Sequence, residues 1–218
     1  MAKLLDSVKE YLTPTFIAEA ARQLGEEETS TAKALQGLSA TILAGLLDQV
    51  NHPETLERLY HQLQQFPPHL IDNPEVLLRP GNLAHHDPKD LAGHWMGQFF
   101  GARMPAMTNG IAAFSGAKVS SVSFLSGVAG PVVMSLLQHR IQASTLNASG
   151  LANLLLADRD RILAALPSGL GAILGLHPAE APAENAPVTA TDMQWVWPLL
   201  LLLGIGGGIM VYLRACGG

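Results

Sequence analysis

Charge is what this sequence has least of. Of its 218 residues only 14% are Asp, Glu, Lys or Arg, against about 25% in an ordinary soluble domain. Thirteen basic residues stand against 18 acidic ones, for a net charge of −5. That balance lacks the basic footprint of a nucleic-acid binder, so no nucleic-acid partner is expected. A single cysteine, Cys216, excludes a disulfide scaffold. Aromatic residues are scarce, at 6%. There is no period-two strand pattern, P-loop, dinucleotide fingerprint or G-x-S-x-G elbow. No cofactor and no enzymatic activity are therefore expected. Apolar residues are abundant, at 48%. A chain that apolar can bury a core, which excludes disorder throughout.

The longest apolar run lies late in the chain. Asp192 and Arg214 bracket 21 uncharged residues. Within them Trp195-Val196-Trp197-Pro198 is followed by Leu199, Leu200, Leu201, Leu202 and Leu203, then by a glycine-rich stretch to Leu213. From Trp195 to Leu213, at ~1.5 Å per residue, a helix spans ~28 Å, about one hydrocarbon core. Trp195 and Trp197 mark one interface and Tyr212 the other, as an aromatic belt does. Five consecutive leucines face all sides of a helix, which suits lipid better than a one-sided core. Residues 193–213 thus read as a membrane helix whose partner is the lipid bilayer. Gly204 and Gly208 form a G-x-x-x-G pair that can bring two helices close, although chance in a glycine-rich span explains it equally well.

The N-terminal Met1-Ala2-Lys3-Leu4-Leu5-Asp6 is amphipathic and no signal-length apolar run precedes the late span. The expectation is a tail anchor, with the preceding body in the cytoplasm. Arg214 is the nearest basic residue and lies on the far side, which argues weakly for the reverse orientation.

The body reads as two copies of one helical unit. Shifted by 90 positions, Ser30, Leu35, Gly37, Leu46 and Leu47 fall on Ser120, Leu125, Gly127, Leu136 and Leu137. The helical face of Ile17, Ala20, Ala21 and Leu24 recurs at Met107, Gly110, Ile111 and Phe114. Helices are expected over 3–12, 14–24, 30–50, 54–65, 88–101, 105–114, 119–140, 148–165 and 168–176. Starts are legible at Thr13-Pro14, at Pro53, and at Asp87-Pro88 with Asp90 closing a capping box. The fold class is all-α: a duplicated multi-helix bundle plus one C-terminal transmembrane helix. The body covers 1–176, with copies at about 1–65 and 88–176 and a loop at 66–87. A Pro/Ala-rich linker follows at 177–192, then the membrane helix at 193–213 and a short tail at 214–218.

Val119 to Gln138 is a second uncharged stretch, but it holds five serines and Pro131. Its counterpart in the first copy carries Lys33 and Gln36, so both read as buried core helices. From Met104 to Ala157 only Lys118 and Arg140 are charged, which makes the second copy the more enclosed of the two.

Candidate chemistry is thin. His85, His86, Asp87, Asp90 and His94 are the best metal cluster, but capping already explains both aspartates, and no metal is expected. Ser115-Gly116-Ala117-Lys118 has the S-x-x-K spacing without its partner motifs. Glu26-Glu27-Glu28 reads as a solvated run before a helix. Cys216 has no histidine near it in sequence.

Four stretches of the second copy carry a signature: Phe114 to Ser121, Gly130 to Leu137, Ser149 to Leu155, and Leu166 to Leu170. They resemble the YidB-like bacterial proteins (DUF937), a family whose domain has no assigned function, over about residues 1–176. The resemblance implies an all-helical fold and a bacterial envelope setting, and it supplies no catalytic residues. In relatives the domain is sometimes followed by a membrane helix and an OmpA-like domain. Residues 195–216 resemble that junction, so this is either a short form or one whose C-terminal domain is missing. The expected function is a non-enzymatic, single-pass scaffold of the bacterial inner membrane that binds a protein partner or itself. The alternatives are a membrane-active helical protein, pore-forming or inserting, and a small-ligand or lipid-binding module.

Overall fold

Prolines and short polar side chains set several helix starts. Thr13 Oγ1 accepts from Phe16 N–H at 3.2 Å, and Pro14 follows at the first helical position. Pro53 opens another helix, and Asn147 Oδ1 accepts from Gly150 N–H at 2.8 Å to cap a third. In this computed structural model the described residues are 3–78, 93, 94, 96–98 and 100–175. They form α1 (Leu4–Tyr11), α2 (Pro14–Leu24), α3 (Glu28–Gln49) and α4 (Pro53–Leu63). Two 3-10 turns follow, Pro68–Asp72 and Pro74–Leu78. Helical residues at 93, 94, 96–98 and 100 make α5. After the turn Gly101–Arg103 come α6 (Met104–Ser115), α7 (Val119–Ala143), α8 (Ala148–Ala157), α9 (Arg159–Ala164) and α10 (Leu170–Leu174). Among the described residues there is no strand, and the protein is all-α.

Two long helices organise the packing. α3 lies against α6 and α7, and α7 is covered by α3, α6 and the turn Pro68–Asp72. α3 buries 14 of its 22 residues and α7 buries 16 of its 25. On α7, Val132, Val133, Leu136 and Leu137 are all essentially inaccessible. By length and composition α7 could cross a membrane, yet 67% of its most apolar window is buried inside the protein. Its serines are accommodated: Ser126 Oγ donates to Ser123 O at 2.7 Å, and Ser135 Oγ donates to Pro67 O at 2.7 Å. Ser39 and Thr41 of α3 likewise donate to carbonyls one turn back, Leu35 O and Gly37 O. A buried hydroxyl so satisfied adds little penalty to an apolar interior.

The helices keep the ninety-position spacing of the sequence match. Pro14 and Met104 begin α2 and α6, and Glu28 and Val119 begin α3 and α7 one residue off it. α2 and α6 both end on left-handed glycines, Gly25 (φ 62°) and Gly116 (φ 78°), a conformation that a side chain resists. α5 needs a different glycine to dock. A Cβ on Gly45 would lie 2.6 Å from Phe100 Cζ, so only a bare backbone lets the Phe100 ring reach α3.

Three expectations are revised. The segment read as a loop from 66 is, through 78, a pair of 3-10 turns that bury Phe66, Ile71, Leu77 and Leu78 against the core. Its prolines forbid a continuous α-helix but allow short turns. The single helix expected over 148–165 breaks at Asp158 into α8 and α9, and at the break the Asp158 carboxylate accepts the Leu4 N–H at the start of α1. The second copy is not the more enclosed in its long helix: α3 and α7 bury nearly the same share of their residues.

Candidate functional site

The charge-poor half carries its apolar residues outward as well as inward. Among the described residues three large hydrophobic side chains are exposed: Phe114 at 45%, Val119 at 49% and Leu156 at 46%. All three fall within 104–157, the stretch whose only charges are Lys118 and Arg140. Phe114 stands at the C-terminal end of α6, where its ring and Pro167 both flank Gly37 of α3. Val119 opens α7, and Leu156 lies in the last turn of α8.

The junction between α6 and α7 is held by a side chain from the first half. Glu26 Oε1 accepts from Lys118 N–H at 3.0 Å and from Ser121 Oγ at 2.7 Å, and so caps the start of α7. Its side chain is only 8% exposed, which corrects the reading of Glu26 as part of a solvated run. The Ser121 hydroxyl, then the Lys118 N–H, holds the Glu26 carboxyl below its ordinary value of 4.5, against the opposing effect of burial. Lys118 Nζ reaches Gly25 O at 3.2 Å and Glu26 Oε1 at 3.8 Å. Ser115 is engaged elsewhere: its buried hydroxyl donates to Ile111 O at 2.8 Å and accepts from Ala117 N–H. The S-x-x-K spacing therefore forms no nucleophile and base pair.

A concavity lies between α1, α2 and α3. Leu5 and Val8 of α1, Leu12 just after it, Pro14 and Ile17 of α2, and Ala32 and Leu35 of α3 line a groove of about 270 Å³. Lys9 and Gln36 stand exposed at its edge. Ser39 reaches the floor, but its hydroxyl is occupied by Leu35 O at 2.8 Å.

Most residues singled out from the sequence lie outside the described residues. These are the anchor residues Trp195, Trp197, Leu199, Leu200, Leu201, Leu202, Leu203 and Tyr212, the pair Gly204 and Gly208, Cys216, and His85, His86, Asp87 and Asp90. His94 is exposed on α5, with Nε2 3.2 Å from Gln98 Nε2. Among the described residues no group of three His, Cys, Asp or Glu side chains could hold a metal ion. The groove was missed because its walls come from three helices whose apolar faces each look like ordinary core.

An all-helical body with two long core helices and no strand among its described residues defines the class of protein. Residues 6–140, more than half of the chain, match the family described as bacterial protein of unknown function, DUF937. The chain belongs to that family. The match ends before α8, so the stretches Ser149 to Leu155 and Leu166 to Leu170 fall beyond it. No curated protein and no solved structure matches the chain.

Proposed function

We propose that this protein is a non-enzymatic scaffold, tethered by residues 193–213 to the bacterial inner membrane with its helical body in the cytoplasm. The body recruits a protein partner, or a second copy of itself, through the charge-poor half. The observation that carries this reading is the exposure of Phe114, Val119 and Leu156 within a stretch holding two charges. Exposed apolar side chains are what a protein partner buries at the core of an interface. The shared order of α1 to α4 and α5 to α8 supports a duplication, in which one copy supplies charge and solubility and the other the contact surface. The Pro/Ala linker at 177–192 supports a body held away from the bilayer.

The test is site-specific photo-cross-linking of the full chain in bacterial membranes, with a photoreactive residue at 114, 119 or 156 and a control at exposed Glu57. A discrete adduct from the three sites, absent at 57 and lost on Leu156→Glu, is the expected result. Monomer alone at all three sites overturns the proposal. Thiol labelling of Cys216 from either side of the membrane checks the orientation independently.

A further inference from the structure

We propose that the groove between α1, α2 and α3 binds a single unbranched hydrocarbon chain ending in an anion, a fatty-acid carboxylate. The site is distinct from the contact surface above and would stand if that reading failed.

Three observations carry it. The first is the lining: aliphatic side chains from three helices, with the one hydroxyl at the floor, Ser39 Oγ, already donating to Leu35 O at 2.8 Å. Away from Lys9 and Gln36 an occupant finds no free polar group and must itself be apolar along that length. The second is size. About 270 Å³ lies at or below the low end of ordinary small-molecule pockets. It suits one narrow chain better than the paired chains of a phospholipid. The third is charge. Lys9 stands at the edge of the groove, with Gln36 as a neutral hydrogen-bonding neighbour from α3. Asp6, one turn before Lys9 on α1, is engaged by Arg161 at 2.8 Å. Lys9 is the one charged side chain in the lining, so the groove sets a single positive charge beside an apolar slot, the complement of a carboxylate on an aliphatic tail.

The experiment uses the full chain in phosphatidylcholine nanodiscs and a dodecanoate carrying a diazirine on its chain. Mass spectrometry of the irradiated protein is expected to place the adduct within 5–12 or 32–39. Decanoate should compete better than decanol at equal membrane concentration. Lys9→Gln should weaken decanoate competition roughly two- to fivefold, as the loss of one exposed ion pair does, and leave decanol unchanged. Ala32→Phe, which projects a ring into the groove, should abolish the adduct. Should that variant fail to fold, Lys9→Gln on the exposed edge still decides. An adduct confined to 193–213, or one that neither substitution alters, overturns the proposal. So does equal competition by decanoate and decanol.

Discussion

Single residues tie the two halves together, and Glu26 does so most directly. Its carboxylate reaches 95 positions along the chain to Ser121. Replacement by Ala leaves the start of α7 uncapped and should cost about 1–2 kcal/mol, the ordinary worth of a helix cap, seen as a lower urea midpoint. The acid dependence has a definite sign. Because the folded-state pKa is lowered below 4.5, the contribution is complete above the unfolded value and is lost as pH falls through the folded one. Titrating urea midpoints downward from neutral pH, wild type should lose stability more steeply than Glu26→Gln. Equal slopes would remove this role. In sequence Glu26 is one of three consecutive acids, set apart from Glu27 and Glu28 only by following Gly25. Gly25 makes the difference: its left-handed φ of 62° ends α2 and turns the chain so that Glu26 faces α7.

The elements were largely legible before the fold was known. Proline at a first helical position announces α2 and α4, and the ninety-position match predicts the second set from the first. What periodicity could not place was the break at Asp158, whose side chain is bonded to a partner 154 positions away. α7 posed the sharpest ambiguity, because a helix of 25 residues whose one charge, Arg140, lies in its last turn suits a bilayer or a core equally by composition. The contrast within the helix gives a test. Leu137, wholly buried, should lose about 2–5 kcal/mol on replacement by Ala. Val119, half exposed at the start of the same helix, should change stability by no more than about 0.5 kcal/mol on replacement by Ser. Urea denaturation of both variants checks it, and equal costs would contradict a one-sided core helix.

At the scale of the molecule, α1 is the element whose place depends most on distant partners. Leu4 N–H donates to Asp158, Asp6 pairs with Arg161 at 2.8 Å, and Ser7 Oγ accepts from Arg140 Nη2 at 2.7 Å. All three partners come from beyond residue 139. Asp158→Ala removes a buried acceptor from the first turn of α1 and should cost about 1–3 kcal/mol. The loss should appear first as faster hydrogen exchange at the amides of α1, which also forms one wall of the groove. Uniform acceleration across α3 and α7 instead would mean that α1 is not separately held.

Composition and periodicity by themselves determined the helical class, the positions of most helices, the ninety-residue correspondence and the poverty of charge after Met104. These are local or statistical properties, carried by proline, glycine and apolar spacing, and they need no knowledge of which helices meet. Only the tertiary structure decided where the missing charge leads. It showed that α7 is no more enclosed than α3, and that Phe114, Val119 and Leu156 face outward instead. It also turned Glu26 inward, opened the chain at Asp158 and left a groove between three helices. Each outcome depends on contacts between residues far apart in sequence, and burial of a side chain is a property of its neighbours in space.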